Sequence, residues 1–413
     1  MRQNRLDRQL RIEGWNQQAL ENAKIGVVGD DDLLASLYIM SASALGINNV
    51  VVLAPALNAI LIETAHKINP RFTLTHIEGF YTHPFIGELF QGCSLIADLS
   101  RYGLANKLLL DKGFSDKRPI IRGFCYEKNG VQGFIIFTYM RGREWHEIRQ
   151  IVSPNSFPSG HFDDGVLDTI VAGIVLEETK NLLMGQDTSD DLISYTRKQL
   201  NTPNHQLRIL VVGSGALGIF VGLGLAYSGF RHITFMDPDV VEVTNLNRQI
   251  FFYGAVGESK AKTLSNKLNC LFEIESTFQI AYFDNNSDLS TYDVVFDCVD
   301  NFESRIVLSE KCAEQGKILI SGGTSADSGQ VVIYNAANND VTPAKLLGLY
   351  NIVEKRDSDT YQRERAACIY QPDPSVIMTN QIAAGFMVDA YRMLLNGQKP
   401  RNIFYNSTSN TRI

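Results

Sequence analysis

The sequence has six cysteines but no C-x-x-C pair. A disulfide framework and a zinc knuckle both need paired cysteines, so the chain reads as the product of a reducing, cytoplasmic compartment, with no structural zinc. It has no basic tract. Its 38 lysines and arginines stand against 45 aspartates and glutamates, for a net charge of −7, which excludes nucleic acid as the expected partner. No apolar run approaches a membrane span, and the polar opening MRQNRLDRQLRIEGWNQ is not a secretion signal. His146 and His161 lie in a Gly/Pro/Ser-rich loop at 140–165, without H-x-x-x-H spacing or neighbouring cysteines, and read as solvated. What remains is a chain of 413 residues, 45% apolar and 20% charged, ordinary for a globular protein of two or three domains.

The densest chemistry lies between Leu207 and Lys260. Leu207–Val212 is a β-branched run that reads as a buried strand. Gly213, Gly215 and Gly218 follow in G-x-G-x-x-G spacing and open the apolar helix Leu217–Tyr227. Glycines there let a phosphate approach the backbone, and the helix start offers free N–H groups. A second strand, Ile233–Met236, ends at Asp237, where a ribose-binding carboxylate is expected. The fingerprint alone suits a dinucleotide. Arg248 and Gln249 in NLNRQ and Lys260 beyond it argue instead for a triphosphate with developing negative charge. The run VVFDCVDN then brings Asp297 and Asp300 to the carboxyl end of another strand, where a carboxylate can hold Mg²⁺ between phosphates.

GSGALG, DPDVVEVTNLNRQ, GESK and DCVDN, in this order, resemble the adenylating domain of ubiquitin-activating enzymes and of the ThiF/MoeB superfamily, over roughly residues 207–400. The resemblance implies an ATP site with Gly213, Gly215 and Gly218 in its loop. It places Asp237 on the ribose, Arg248 and Lys260 on the phosphates with Asn245 beside them, and Asp300 on Mg²⁺. Many relatives carry two C-x-x-C pairs for zinc, and this chain departs from them.

The chain also repeats itself. KIGVVG at 24–29 returns as RILVVG at 208–213; SLIADLSRY at 94–102 echoes VVFDCVDNF at 294–302 with one slip; Gly123 echoes Gly322. GIVLEETKNLLMG at 173–185 returns as GFMVDAYRMLLNG at 385–397. We read a duplicated α/β unit: two tandem Rossmann-like, ThiF-type adenylation folds forming a pseudo-dimer within one chain. The first, 1–190, is a degenerate half; 191–206 is a polar linker; 207–413 is the active half, with a crossover insertion at 335–374. The early copy is shorter near Ala54–His66, where the late copy carries its cations. Its glycine loop is replaced by VVGDDDLLA, whose three aspartates suit a helix start and would repel a triphosphate. The dead half would complete a pseudo-dimer interface, and the resemblance implies that Arg8, from an R-x-x-R-Q segment with Arg5 and Gln9, reaches across it to the partner half's ATP.

Cys368 closes the insertion, ahead of Pro372, Pro374 and an apolar helix at Val376–Leu395. Relatives place a catalytic cysteine after the adenylating motifs, and a thiolate is a good nucleophile toward an acyl adenylate. Arg363, Arg365 and the following helix start would lower its pKa. Cys298 and Cys312 read as core. The expected function is ATP-dependent activation of the C-terminal glycine of a ubiquitin-like protein, with transfer to Cys368 as a thioester and on to a conjugating-enzyme partner. The short chain resembles bacterial operon-encoded systems. Alternatives are an enzyme adenylating a short ribosomal peptide, a sulfur-carrier adenylyltransferase, an NAD-dependent dehydrogenase and a non-enzymatic scaffold.

Overall fold

The computed structural model describes residues 4–142, 152–153, 155–158, 162, 164–201, 204–338, 340–356, 373–408 and 412–413. Cys368, Arg363, Arg365, His146 and His161 lie outside the described residues.

Among the described residues, fourteen strands form two seven-stranded sheets of one topology. The first contains β1 (Lys24–Val28), β2 (Asn49–Leu53), β3 (Thr73–Ile77), β4 (Leu95–Asp98), β5 (Ile120–Lys128), β6 (Val131–Tyr139) and β7 (Ile193–Lys198), in the order β3-β2-β1-β4-β5-β6-β7. The second contains β8 (Arg208–Val212), β9 (His232–Met236), β10 (Thr277–Gln279), β11 (Val294–Asp297), β12 (Ile318–Thr324), β13 (Ser328–Asn335) and β14 (Ile403–Asn406), in the order β10-β9-β8-β11-β12-β13-β14. The first five strands of each order pair in parallel, and the last two pairings of each are antiparallel. Central strands such as Ile209–Val212 are buried residue after residue, as a parallel sheet covered on both faces requires.

The segment expected to be linker contributes β7. ISYTRK alternates buried and exposed, the period-2 pattern of a half-buried strand. Its inward Arg197 is satisfied by acids distant in sequence: Nε donates to Asp389 at 2.8 Å and NH2 to Asp164 at 2.5 Å.

The helices that position the site are α1 (Leu34–Leu45), α2 (Ala59–Ile68), α3 (Gly165–Met184), α4 (Ala216–Tyr227), α5 (Lys260–Leu271), α6 (Phe302–Glu314) and α7 (Ile377–Leu395). Helices α3 and α7 cross between the sheets. A Cβ on Gly173 would come within 2.8 Å of Ile382, and a Cβ on Gly385 would strike Ile170. The repeat carries Ile170 onto Ile382 and Gly173 onto Gly385, so this is one contact made twice, the mark of an isologous interface. Gly123 and Gly322 likewise face Val175 and Met387, each making room for its own half's long helix. One apolar cluster runs through both halves, from Val27 through Ile174 and Phe386 to Phe235.

Candidate functional site

The loop from β8 to α4 holds three glycines with three different reasons. Gly213 has φ +95°, and a side chain there would meet the Cys298 carbonyl at 2.5 Å, so only glycine fits. At Gly218 a Cβ would run into the Gly213 carbonyl, which is how the helix seats itself hard on the loop. Gly215 has an ordinary φ of −73°, and the nearest atom to a Cβ would be Gln249 Nε2 at 3.6 Å. Its bare face opens on space at the start of α4, where free N–H groups receive an anion. Ser214 Oγ and Gln249 Oε1 are buried without a hydrogen-bond partner among the described residues. Orphaned polar atoms of this kind call for a polar ligand.

Two chains of contact leave this loop. The first runs through Asp237, at the end of β9. Its Oδ2 accepts the Ser214 N–H at 2.6 Å and its Oδ1 accepts the Asp239 N–H at 2.8 Å. Burial pushes the Asp237 carboxyl up, and Lys260 pulls it back down. Lys260 opens α5, behind the Ser259 cap, and its Nζ donates to Asp239 at 2.8 Å.

The second chain runs through Gln249 to Arg248. Arg248 is buried and donates to the Thr244 carbonyl at 3.1 Å and to Asn247 Oδ1 at 2.8 Å. Burial, then the charge of Arg8, lowers its guanidinium to about 9, while Asp300 and Glu242 act the other way. A guanidinium keeps its proton at neutral pH, so a buried cation stands here with the neutral oxygens of Thr244 and Asn247 as its hydrogen-bond acceptors among the described residues. Asn245 serves the loop itself: its amide oxygen accepts the Glu242 N–H at 3.0 Å and closes a capping box.

Arg8 belongs to the first half yet stands within the electrostatic reach of Arg248. Its NH1 donates to the Asp373 carbonyl at 3.0 Å. Next to it, buried Gln9 accepts from Asn247 Nδ2 at 3.2 Å, and the same amide donates to the Ser375 carbonyl at 3.0 Å. The first half's N-terminal segment is thus seated on the second half's NLNRQ loop. Among described residues, the candidate site comprises Gly213, Gly215, Gly218, Asp237, Arg248, Lys260 and Asp300 from one half and Arg8 from the other.

The aspartate that ends β11 and the one three residues beyond it divide their labour. Asp297 is buried, accepts from Ser321 Oγ at 2.6 Å and from the Val299 N–H at 3.2 Å, and serves the fold. Asp300 is exposed, in the turn that follows β11, the strand next to β8. Among the described residues no group of three or more His, Cys, Asp or Glu side chains could hold a metal ion. Magnesium asks a protein for only one or two carboxylates beside phosphate oxygens and water, and Asp300 fits that demand. Sequence reasoning missed Arg305. Its NH2 donates to the carbonyls of Val299 at 2.6 Å and Gly322 at 2.5 Å, fixing the turn that presents Asp300. Nothing in ESRI marks a helical arginine as buried.

The first half has the same place filled from within. Gly29 bonds the Leu53 carbonyl as Gly213 bonds that of Met236, which sets Ala54 where the second half has Asp237. Asp31, two residues before the N-cap of α1, accepts from the Leu33 and Leu34 N–H groups at 3.1 and 3.0 Å. Arg101 pairs with Asp30 at 3.3 Å and with Asp31 at 3.1 Å. The first half passes from Leu53 to the helix at Ala59 with no room for a counterpart of residues 237–259.

The family model described as "ThiF family" matches residues 193–412. The chain is 35% identical over 182 residues to the adenylyltransferase and sulfurtransferase MOCS3 of Drosophila sechellia, covering 41% of this chain and 40% of that one. It is 34% identical over 167 residues to a probable molybdopterin-synthase adenylyltransferase of Porphyra purpurea, covering 36% and 43%. It therefore spans about two fifths of the length of these curated relatives. Among solved structures, E. coli MccB with ATP gives a TM-score of 0.43 at 19% identity, over 50% of this chain and 62% of that one. With the ThiF model matched over more than half its length, including the glycine loop and both contact chains that leave it, the chain belongs to the ThiF family.

Proposed function

We propose that the second half is an adenylyltransferase. It binds Mg·ATP over Gly215 and activates the C-terminal glycine carboxylate of a ubiquitin-like protein. The carboxylate oxygen attacks the α-phosphorus, the bond to the β-phosphate oxygen breaks, and pyrophosphate leaves. No general base is needed, because a carboxylate is already a nucleophile. Arg248, Lys260 and Arg8 stabilise charge moving onto the leaving group. A magnesium ion at Asp300 would screen the same oxygens. The thiolate of Cys368 then attacks the acyl carbon, forming a thioester and releasing AMP, and a conjugating enzyme takes the acyl group onward.

One observation carries this reading: the bare face of Gly215 opens at the start of α4 beside the buried, unpartnered Ser214 Oγ and Gln249 Oε1, with the buried Arg248 guanidinium next in the chain and the Arg8–Gln9 segment of the first half seated against the same loop. A second reading, activation of a sulfur-carrier protein, draws on the relatives named adenylyltransferase and sulfurtransferase. It shares the first chemical step.

The test is exchange of labelled pyrophosphate into ATP, with and without candidate proteins ending in glycine. Substrate-dependent exchange supports adenylation, and its absence with every candidate protein and peptide sinks it. A thiol-labile adduct lost in Cys368→Ala supports the thioester. Exchange without an adduct assigns the chain to sulfur-carrier or peptide adenylation.

A further inference from the structure

A cavity of about 380 Å³ opens on the far edge of the first sheet, between β7 and the end of α7. It lies on neither contact chain of the nucleotide site. Its floor is apolar, from Phe386, Ala390 and Met393 of α7. One wall is β7 itself, an edge strand. Edge strands present unpaired N–H and C=O groups that accept another strand.

The direction of those groups follows from two bonds. The Gln199 N–H donates to the Gly130 carbonyl at 2.9 Å, toward β6. The Lys198 N–H donates outward to Gln398 Oε1 at 3.2 Å, and the Lys198 carbonyl accepts from Gln398 Nε2 at 3.1 Å. Main-chain groups alternate in direction along a strand, so Ser194 and Thr196 point the same way as Lys198. The Gln398 carboxamide already acts as one residue of a missing strand. The two positions before it, both lining the cavity, offer the next bonds of the same ladder.

The charges choose the occupant. Lys399 and Arg401 line the cavity, are exposed, and make no ion pair among the described residues. Lys198 is exposed on the same edge. A second copy of this chain pairing β7 with β7 would bring these cations together, and like charges across a strand pair destabilise it. An acidic strand would gain by the same charges.

We propose that the β7 edge is a docking site for an extended acidic peptide segment of another protein. The segment adds as an eighth strand, bonding Ser194 and Thr196, with its carboxylates on Lys399 and Arg401 and one apolar side chain over Met393.

The test is fluorescence anisotropy with the full chain and a labelled octapeptide that alternates threonine and valine and ends in two glutamates. Saturable binding is expected, at least tenfold weaker for the same peptide ending in lysines and for one N-methylated at alternate amides. Thr196→Pro removes an outward donor while sparing the bonds to β6, a position where edge strands tolerate proline. It should weaken binding at least tenfold, and so should the Lys399→Glu/Arg401→Glu pair, whatever the folding yield of the proline variant. Arg248→Ala should leave peptide binding unchanged. No saturable binding, or equal binding of the N-methylated and lysine-ended peptides, overturns the proposal. So does a concentration-dependent dimer in gel filtration that Thr196→Pro abolishes, since the edge would then serve a second copy.

Discussion

Arg101 and Asp300 hold the same position in the two halves with opposite charge. Asp98 pairs with Val28 and Asp297 with Val212 in matching register. Each aspartate then accepts the N–H two residues on, at 3.1 Å from Ser100 and 3.2 Å from Val299. The next residue is Arg101 in one half and Asp300 in the other. Arg101 turns back onto Asp30 and Asp31, so the first half supplies both the anion and the cation that a nucleotide and its receptor would bring.

Removing that guanidinium leaves two nearly buried carboxylates facing each other. Arg101→Ala should cost about 3 kcal/mol, the scale for stranding one side of a buried pair. Burial already raises the Asp30 carboxyl, Arg101 opposes it, and Asp31 adds to it. Without Arg101 the folded-state value climbs further above the unfolded one. An acid raised in the folded state favours folding while protonated, and that contribution is lost as pH rises through the folded value. The Tm deficit of Arg101→Ala against the parent should therefore be larger at neutral pH than at pH near 5. A deficit that grows on acidification would refute this account.

The three glycines of the second loop predict three different outcomes on replacement by alanine. Gly213→Ala strains a positive φ and meets a carbonyl, and Gly218→Ala drives into the Gly213 carbonyl. Both should lower Tm, by roughly 1–3 kcal/mol in stability. Gly215→Ala has an allowed φ and free space, so its stability should stay within about 0.5 kcal/mol of the parent. On the nucleotide placement proposed above its methyl would meet a phosphate, and ATP binding by calorimetry should fall at least tenfold. Unchanged ATP affinity in a well-folded Gly215→Ala would place the nucleotide elsewhere.

Local signals made much of this legible in the sequence. The glycine spacing, the β-branched runs and the repeated segments depend on neighbouring residues, and the equivalences Gly173–Gly385 and Gly123–Gly322 fell out of the repeat. What sequence could not reveal depends on partners far along the chain. ISYTRK reads as polar linker until Asp389 and Asp164 are known to meet Arg197. Arg122 on β5 bridges Asp98 and the Ser100 carbonyl, while Arg305 on α6 binds the equivalent Val299 carbonyl and approaches Asp297 at 4.0 Å. Two halves of one repeat thus stabilise the same turn from different elements, which no internal alignment detects.

Gln9 and Asn247 make the second half's arginine answerable to the first half. Asn247 donates to Gln9 and to the Ser375 carbonyl while accepting from Arg248. Asn247→Asp loses both donations, since an ionised carboxylate only accepts, and sets a rival anion against Arg248. ATP affinity should fall about tenfold or more, with a smaller loss in Gln9→Ala. A double-mutant cycle of Gln9→Ala with Asn247→Ala, read in ATP binding, should show a coupling of about 0.5–3 kcal/mol. Strict additivity would mean that the N-terminal segment merely lies against the loop.

The crossing of α3 and α7 offers a test of how far the two halves are one folding unit. Gly385 packs against Ile170 with no room for a side chain, and Gly173 packs against Ile382. Gly385→Val should destabilise by roughly 1–3 kcal/mol through overpacking. Ile170→Ala alone should cost roughly 2–5 kcal/mol by leaving a cavity. Placed together, the new side chain enters the space the old one vacates, and the double variant should be more stable than the two losses added, by at least about 1 kcal/mol. Because α3 belongs to the first half and α7 to the second, that rescue, read by denaturant unfolding, should appear in one transition common to both sheets. Two separate transitions, with Gly385→Val moving only one of them, would show that the halves fold apart and that the shared apolar cluster does not couple them.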